Sequence, residues 1–234
     1  MICLTSFSPK GYEIYGKRFL ESFVENWPCK VVVYYEELPD FKHEKVIYKP
    51  LMEVEGIEAF LKYCSLKPIF SGQLPGGYNY NYDAEKFCKK VFAQFDALKE
   101  HSGKVIWLDA DTKTLKPVTQ EFIDGLFAGA GLVYLGREGL HCESGFVGFD
   151  NEYPGFDEFF NKYIECYRSG KIFNLNGWHD CYALDWAIKE SNIKTNNLSS
   201  WWKTGDSYDV FSKSVLSPFM THYKGNRKYV NTPD

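Results

Sequence analysis

The feature that most constrains the fold is an apolar run that ends in two aspartates, in the stretch KVIWLDADTKTL from Lys104 to Leu115. The apolar residues predict a buried strand, and Asp109 and Asp111 follow at its carboxyl end. In open parallel α/β sheets, ligands bind beyond the carboxyl ends of the strands. The sequence therefore places two carboxylates where such a sheet would hold a ligand.

The first part of the chain alternates strand and helix. Residues 2–5 predict a strand, and the apolar residues from Tyr12 to Trp27 recur at three- and four-residue steps, which predicts a helix. The segment KVVVYYEE from Lys30 predicts a strand that is covered on both faces. This order is typical of parallel sheets with right-handed crossovers. We expect one α/β domain over residues 1–234, with a mostly parallel sheet flanked by helices.

The later elements follow the same pattern, with one interruption. The stretch SGQLPGGYNYNYD, residues 71–83, is dense in Gly, Pro and Asn and predicts a long loop. Asp83 is expected to cap the helix that follows it. The remaining predicted elements are strands in GLVYLG and GFVGFD and helices near residues 54–64, 156–167 and 181–189.

The composition restricts the partners and the location. With 234 residues, 44% of them hydrophobic, the chain is long enough to bury a substantial core. The net charge of -4 gives no general attraction for nucleic acid, so a polynucleotide partner is not favoured. The sequence shows no secretory signal and no apolar run long enough to span a membrane. We therefore expect a soluble, cytoplasmic protein.

The cysteines do not indicate a zinc site or a disulfide framework. The seven cysteines include no C-x-x-C pair, which is typical of reduced thiols. His141 beside Cys142 resembles half of a metal site, but no second pair stands at a matching spacing, so we do not expect a metal there.

The two aspartates allow two interpretations. Two carboxylates with one residue between them can approach a single cation, and such hard oxygen ligands suit Mg²⁺ or Mn²⁺. Alternatively, Asp109 and Asp111 only end the strand and cap the turn, which is a common use of Asp. The apolar strand before the pair and the extended segment TKTLKPV after it favour the cation site.

In this combination the chain resembles the GT-A glycosyltransferases, in which an apolar strand ends in a D-x-D that binds a divalent metal holding a nucleotide-sugar diphosphate. The resemblance implies a GT-A, Rossmann-like fold. It places Asp109, Ala110 and Asp111 at the donor site, with Mn²⁺ or Mg²⁺ as the cofactor and a nucleotide sugar, by analogy a UDP-sugar, as the donor.

The C-terminal stretch HYKGNRK resembles the H-x-x-G-x-x-K element of family 8 glycosyltransferases. The resemblance implies that His222 is the third protein ligand of the metal and that Lys228 holds the diphosphate. Gly225 would let the backbone approach the phosphates closely. The family usually continues with Pro-Trp, whereas Tyr229 and Val230 stand here, so short viral-type GT-A enzymes are an equally near comparison.

The stretch CESGFVGFD is similar to the glycine turn that leads into a strand beside the donor sugar in GT-A enzymes. By this resemblance Glu143, Ser144 and Gly145 lie near the reacting centre. The alternative is an ordinary turn before a core strand.

The stretch GWHDCYALDWAIK places His179 and Asp180 at the start of a predicted helix. Asp180 is either an N-terminal cap or a carboxylate that faces the acceptor or the sugar. It is the candidate general base if the reaction inverts the anomeric centre. If the reaction retains configuration, Asp180 or Glu143 would orient the sugar instead.

Two further donor contacts follow from the resemblance. Thr5, Ser6 and Phe7 follow the first strand, where GT-A proteins receive the base and ribose. Lys89 and Lys90 stand where family 8 has a basic donor-binding residue. Adjacent helical positions point about 100° apart, so at least one of these lysines is expected to face solvent.

The leading hypothesis is a metal-dependent glycosyltransferase that acts on a hydroxyl of a glycan or small molecule. Aromatic residues of the 71–83 loop and a Trp pair would stack on a sugar ring, or on a nucleobase if modified DNA is the acceptor. Equally, they belong to the core, which is the expectation for Trp201 and Trp202. These candidates are Tyr78, Tyr80, Tyr82, Trp201 and Trp202.

Two other classes are open. A metal-dependent nucleotidyltransferase would use the same architecture, but TSFSPKG has no Gly-rich phosphate loop. A non-catalytic module that binds sugar nucleotides would keep donor affinity without turnover.

Overall fold

The chain folds around a seven-stranded sheet. The structure is a computed structural model that describes residues 1–206 and 209–229. Val230, at which the sequence departs from the family 8 pattern, lies outside the described residues. The strands are β1 (Ile2–Phe7), β2 (Val31–Tyr35), β3 (Val46–Pro50), β4 (Ser71–Leu74), β5 (Gly77–Asp83), β6 (Lys104–Leu108), β7 (Thr112–Thr114), β8 (Leu132–Leu135), β9 (Glu143–Asp150), β10 (Thr195–Asn197) and β11 (Met220–His222).

The helices lie on both faces of this sheet. The α-helices are α1 (Pro9–Gly11), α2 (Lys17–Asn26), α3 (Ile57–Cys64), α4 (Ala84–Glu100), α5 (Gln120–Phe127), α6 (Phe156–Arg168) and α7 (Asp180–Glu190). A π-helical stretch, Tyr12–Gly16, joins α1 to α2. Short 3₁₀ helices occupy Leu51–Glu53, Pro68–Phe70, Lys171–Asn174, Phe211–Lys213 and Gly225–Tyr229. No described helix has the length and apolar character needed to cross a membrane.

The expectation of a mostly parallel α/β sheet is confirmed. In the seven-stranded sheet β9 runs antiparallel to both β6 and β8, and the other neighbouring pairs are parallel. The strand order is β10-β8-β9-β6-β1-β2-β3, so the chain moves from β1 outward to β2 and β3 and then returns to form β6 on the other side of β1. Ligands in open α/β sheets bind at such a reversal of strand order, beyond the carboxyl ends of the strands.

The sheet separates two hydrophobic clusters. Successive strand residues point to opposite faces, so Cys3 and Val33 join one cluster while Leu4 and Val32 join the other. Helices α3, α4, α6 and α7 cover one face, and α2, α5 and the C-terminal segment cover the other. Both faces are therefore buried, which explains why β1, β2 and β6 carry apolar runs rather than an alternating pattern.

The first predicted helix is confirmed and begins earlier than its apolar spacing indicates. Ser8 accepts a hydrogen bond from the backbone N–H of Gly11 at 3.2 Å, and Pro9 occupies the first helical turn. Helical structure then continues without a break from Pro9 to Asn26, through the π-helical stretch. The predicted cap of α4 is also confirmed, because the Asp83 carboxylate accepts from the backbone N–H of Lys86 at 3.0 Å.

The prediction of a long loop over residues 71–83 is wrong. These residues form a β-hairpin, in which β4 pairs antiparallel with β5. Gly77 turns the chain with φ of +110°, and Gly72, with φ of +74°, lies so close to the partner strand that a Cβ would come within 2.8 Å of the Asn79 carbonyl oxygen. The glycines that suggested a loop are thus the residues that a tight hairpin needs.

Several elements have no counterpart in the sequence interpretation: β3, α5, β10 and β11. Strands β3 and β10 are the two edges of the large sheet, and β10 and β11 are only three residues long. Such short segments do not give a recognisable period. The C-terminal strand β11 pairs antiparallel with β7, directly after the D-x-D.

Leu20 lies on the buried face of α2, in the hydrophobic cluster against the sheet, so its truncation is expected to lower the free energy of unfolding strongly. Leu20 is 0% exposed, so Leu20→Ala is expected to lower the free energy of unfolding by about 2–5 kcal/mol. Leu66 is 70% exposed, so Leu66→Ala is expected to change it by less than about 0.5 kcal/mol. Urea unfolding followed by tryptophan fluorescence measures both, and similar losses in the two variants would contradict the placement of α2 against the sheet.

Candidate functional site

Asp109 stands at the end of β6 with its two carboxylate oxygens in different roles. Its Oδ1 accepts hydrogen bonds from the Lys90 ammonium at 2.8 Å and from the Trp107 indole N–H at 2.7 Å. Its Oδ2 lies 3.8 Å from Nε2 of His222. The backbone N–H of Asp109 donates to the Gly145 carbonyl at 2.9 Å. One oxygen is therefore fixed by the protein, and the other faces the imidazole.

The small β7–β11 sheet brings the C-terminal motif to the D-x-D. Its register pairs His222 with Thr112, and the backbone N–H of Tyr223 donates to the Asp111 carbonyl at 2.9 Å. Nε2 of His222 consequently lies 2.8 Å from Oδ1 of Asp111. The structure thus joins Asp109, Asp111 and His222, the three residues that the resemblance names as metal ligands.

Lys228 also reaches the D-x-D. Its ammonium lies 2.7 Å from Oδ2 of Asp111, on the carboxylate that His222 contacts through the other oxygen. Burial alone would raise the pKa of Asp111, but the charges and hydrogen bonds of His222 and Lys228 outweigh it and hold this pKa well below its usual value. Asp111 is therefore ionised at neutral pH.

Glu143 enters the site because β9 runs opposite to β6 and begins where β6 ends. Its Oε1 accepts from the backbone N–H of Gly145 at 2.9 Å and lies 3.8 Å from Nδ1 of His222. A Cβ on Gly145 would come within 2.7 Å of the His222 ring, so only glycine allows this close approach. Both interpretations of this stretch placed a turn before the strand, and the turn is wrong: Glu143, Ser144 and Gly145 are the first three residues of β9.

Lys224 is a site residue that the sequence reasoning missed. Its ammonium pairs with the Glu143 carboxylate, and burial lowers the pKa of Lys224 to about 8. It belongs to the C-terminal HYKGNRK stretch but stands at one of its variable positions, so the motif itself carried no signal for it. Together with Lys228 it places two ammonium groups beside the carboxylates.

The donor set fits a divalent cation. Oxygen atoms of Asp109 and Glu143 and a ring nitrogen of His222 lie within 4.8 Å of one another. Nδ1 of His222 is buried and has no hydrogen-bond partner among the described residues. Carboxylates with one imidazole suit Mn²⁺ or Mg²⁺. Asp111 lies next to this group, because its Oδ1 is 2.8 Å from Nε2 of His222.

Lys90 is buried at the centre of the site and ties four elements together. Besides Asp109, its ammonium donates to the Ser144 carbonyl at 2.6 Å and hydroxyl at 3.0 Å, and it lies 3.0 Å from Oδ2 of Asp180. Lys89 points elsewhere and pairs with Glu36 at 3.0 Å. At least one of the two lysines is expected to face solvent, and Lys89 does so only in part, because its side chain is 27% exposed and paired with Glu36.

Asp180 does not cap α7, contrary to one of the two interpretations of the sequence. His179 occupies the cap position without a side-chain hydrogen bond to the helix, and Asp180 is the first helical residue. Its carboxylate is 2% exposed and faces Lys90. Burial raises the pKa of Asp180, and the charge of Lys90 opposes this only in part.

His179 lies among aromatic rings, and one of its ring nitrogens is within 4.8 Å of a carboxylate oxygen of Asp180 and of the Cys181 thiol. Its imidazole is 5.3 Å from the Phe87 ring, 4.7 Å from the Tyr182 ring and 4.8 Å from the His141 ring, centroid to centroid. The Arg137 guanidinium contacts Nδ1 of His141.

The remaining candidates differ in burial and backbone conformation. The side chains of Thr5 and Phe7 are buried in and beside the sheet, and Ser6 is half-buried. Ala110 is buried between the two aspartates. Gly225 adopts φ of +58° at the start of the last 3₁₀ helix, a conformation that glycine adopts without strain. Roles in donor binding for these residues stay predictions.

The comparisons with known proteins give a fold likeness. No protein-family model matches the sequence, and no curated protein matches it significantly. The structure is similar to the apo structure of WbbM, a bifunctional glycosyltransferase, with a TM-score of 0.57 and 11% identity over 100% of this chain and 50% of that chain. It is also similar to the glycosyltransferase GlyE of Streptococcus pneumoniae, with a TM-score of 0.53 and 14% identity over 100% of this chain and 56% of that chain. The chain thus shares the GT-A-type fold and spans about half the length of these proteins.

The buried contact between Lys90 and Asp180 predicts strong coupling. Lys90→Met leaves Asp180 buried without its countercharge and is expected to lower the free energy of unfolding by about 3–5 kcal/mol. Adding Asp180→Asn is expected to restore about 0.5–3 kcal/mol relative to the sum of the single changes. Urea unfolding of the wild type, both single variants and the double variant measures this.

The matched control is Lys89→Met, which removes a half-exposed lysine from the adjacent helical position. Its expected cost is at most about 1 kcal/mol, as for other surface ion pairs. Strict additivity of the Lys90 and Asp180 changes would contradict the buried pairing.

Proposed function

We propose that this chain is a metal-dependent glycosyltransferase that transfers a sugar from a nucleotide-sugar donor, most consistently a UDP-sugar, to a hydroxyl group of a glycan or small molecule. The observation that carries the proposal is the meeting of Asp109, Glu143 and His222 at the carboxyl end of β6. The site lies at the reversal of strand order in a sheet that solved glycosyltransferases share.

The proposed cation is Mn²⁺ or Mg²⁺, held by Asp109 and His222 with Asp111 or Glu143. When bound, it would neutralise negative charge on the departing nucleoside diphosphate. The protein contributes the fixed carboxylate of Asp109, whose Oδ1 is occupied by Lys90 and Trp107, so that Oδ2 is presented in one direction.

The proposed diphosphate contacts are the ammonium groups of Lys228 and Lys224. Both flank the carboxylates, on Asp111 and Glu143 respectively, and both come from the C-terminal segment. Positive charge placed in a partly buried site stabilises a developing phosphate charge more strongly than in water. This supports a role for Lys228 in holding the diphosphate and adds Lys224 to the proposed set.

The environment of Asp180 supports an orienting role over a general-base role. A general base must reach the acceptor hydroxyl, whereas the Asp180 carboxylate is buried and faces the Lys90 ammonium. We propose that Asp180 fixes Lys90, which in turn holds Asp109 and Ser144. No observation specifically favours a nucleotidyltransferase.

The proposal predicts metal-dependent cleavage of the donor. Wild-type protein with Mn²⁺ is expected to release UDP from one of a panel of UDP-sugars, and an excess of EDTA is expected to abolish the release. Asp109→Asn is expected to reduce the rate at least ~100-fold, because it removes one carboxylate charge from the proposed cation site. A coupled assay for free UDP measures all of these.

The matched control is Asp157→Asn, an exposed aspartate in the first turn of α6. It is expected to keep the wild-type rate. Equal, metal-independent rates in the wild type and in Asp109→Asn would remove the cation-site assignment. Binding of UDP-sugars without any cleavage or transfer would point to the non-catalytic binding module.

A further inference from the structure

The β4–β5 hairpin exposes two tyrosines beside the site. Tyr78 and Tyr80 are 52% and 54% exposed, although both rings are large and apolar. They border a surface cavity of about 350 Å³ whose other lining residues come from the same hairpin, among them Leu74 and Asn79. Cavities of about 300–1,000 Å³ with aromatic walls and a few polar groups are typical of small-ligand sites.

The hairpin is fixed to the segment that carries Asp180. The backbone N–H of Trp178 donates to the Asn81 carbonyl at 2.6 Å, and the Tyr82 ring packs edge-on against the Trp178 ring with 5.0 Å between centroids. The Tyr80 ring lies nearly parallel to the His179 imidazole, 6.1 Å between centroids and 27° between planes. His179 directly precedes Asp180, so Tyr80 contacts the residue next to the Asp180–Lys90 ion pair.

The side chain of Asp83 ties the hairpin to α4. The Tyr78 hydroxyl donates to Oδ2 of Asp83 at 2.8 Å, and Oδ1 of the same carboxylate caps α4 through the Lys86 N–H. Burial and the neighbouring Asp83 charge raise the pKa of Tyr78 to about 12, so the phenol stays neutral. A platform held in place in advance loses little entropy when a ligand binds.

We propose that this hairpin is the acceptor-binding surface and that the acceptor is a neutral saccharide whose ring stacks on Tyr80. The inference rests on the proposed glycosyltransferase function and names its acceptor class. A sugar ring offers an apolar face to an aromatic ring and hydroxyl groups to amides such as that of Asn79. The position of Tyr80 next to His179 and Asp180 brings such a ring to the edge of the donor site.

The charge of the hairpin argues against DNA as the acceptor. Residues 71–83 contain no Lys or Arg, and their one charged residue, Asp83, is buried. Proteins that bind nucleic acid neutralise its phosphates with basic side chains, so this surface lacks the main source of affinity for a polyanion.

The test separates acceptor use from donor use. With the UDP-sugar that the wild type cleaves, transfer to p-nitrophenyl β-glycosides of glucose, galactose and xylose is measured alongside release of UDP without acceptor. Tyr80→Ala is expected to lower kcat/KM for the best acceptor at least ~10-fold while changing donor cleavage less than twofold. Tyr80→Phe, which keeps the ring, is expected to retain most of the transfer.

Trp201→Ala is the matched control. Trp201 is a 48% exposed aromatic residue that lines a separate cavity of about 450 Å³ near β10 and α5. It is expected to leave transfer unchanged. A loss of transfer in Trp201→Ala with normal transfer in Tyr80→Ala would overturn the inference, while normal donor cleavage in both would leave the proposed function intact.

A second readout needs no turnover. Saturation-transfer NMR with the methyl β-glycosides of glucose, galactose and xylose is expected to show contact with wild-type protein and a weaker signal with Tyr80→Ala. Absence of any saccharide signal with the wild type would overturn the inference even if donor cleavage is found. Salt-sensitive binding of a DNA duplex that Tyr80→Ala abolishes would overturn it in favour of a nucleic-acid acceptor.

Discussion

The site depends on one buried positive charge, the ammonium group of Lys90. A charge removed from water is tolerated only when it is paired and hydrogen-bonded. Lys90 comes from α4 and finds its partners on three other elements, in Asp109 after β6, Ser144 on β9 and Asp180 on α7. Because each contact satisfies part of the same charge, these four elements are fixed relative to one another, and the orientation of the Asp109 carboxylate follows from them.

Chain direction explains how distant residues reach this point. β9 is antiparallel to β6, so Glu143 and Gly145 stand at the start of their strand and Asp109 at the end of its own, yet all three meet. The antiparallel pair of β7 and β11 acts in the same way for the C-terminal segment and sets His222 beside Asp111. The two antiparallel pairs therefore bring residues of β9 and of β11 to the carboxyl end of β6, and the site is formed by all three segments.

The sequence predicted site residues where a functional side chain also marks the end of a secondary-structure element. A carboxylate pair after an apolar run predicted both a strand end and Asp109 and Asp111 at the site, and the C-terminal motif predicted His222 and Lys228. The sequence pattern alone could not show which of Lys89 and Lys90 enters the site, because that depends on which face of α4 meets β6. It could not identify Lys224 either, because the contact of Lys224 with Glu143 forms only when the C-terminal segment packs against β9. The hairpin was missed because its glycines fit a loop equally well.

The lysines that flank the carboxylates link the two proposed ligands. Lys228 pairs with Asp111 and Lys224 pairs with Glu143, so each ammonium group forms an ion pair with a carboxylate of the proposed cation site. A cation that takes over Asp111 or Glu143 would leave the ammonium group on that carboxylate to a diphosphate, whereas a diphosphate alone would have to compete with the carboxylate for it. Attraction between unlike charges therefore makes cation and donor binding mutually favourable, which amounts to a coupling free energy between two ligands at one site.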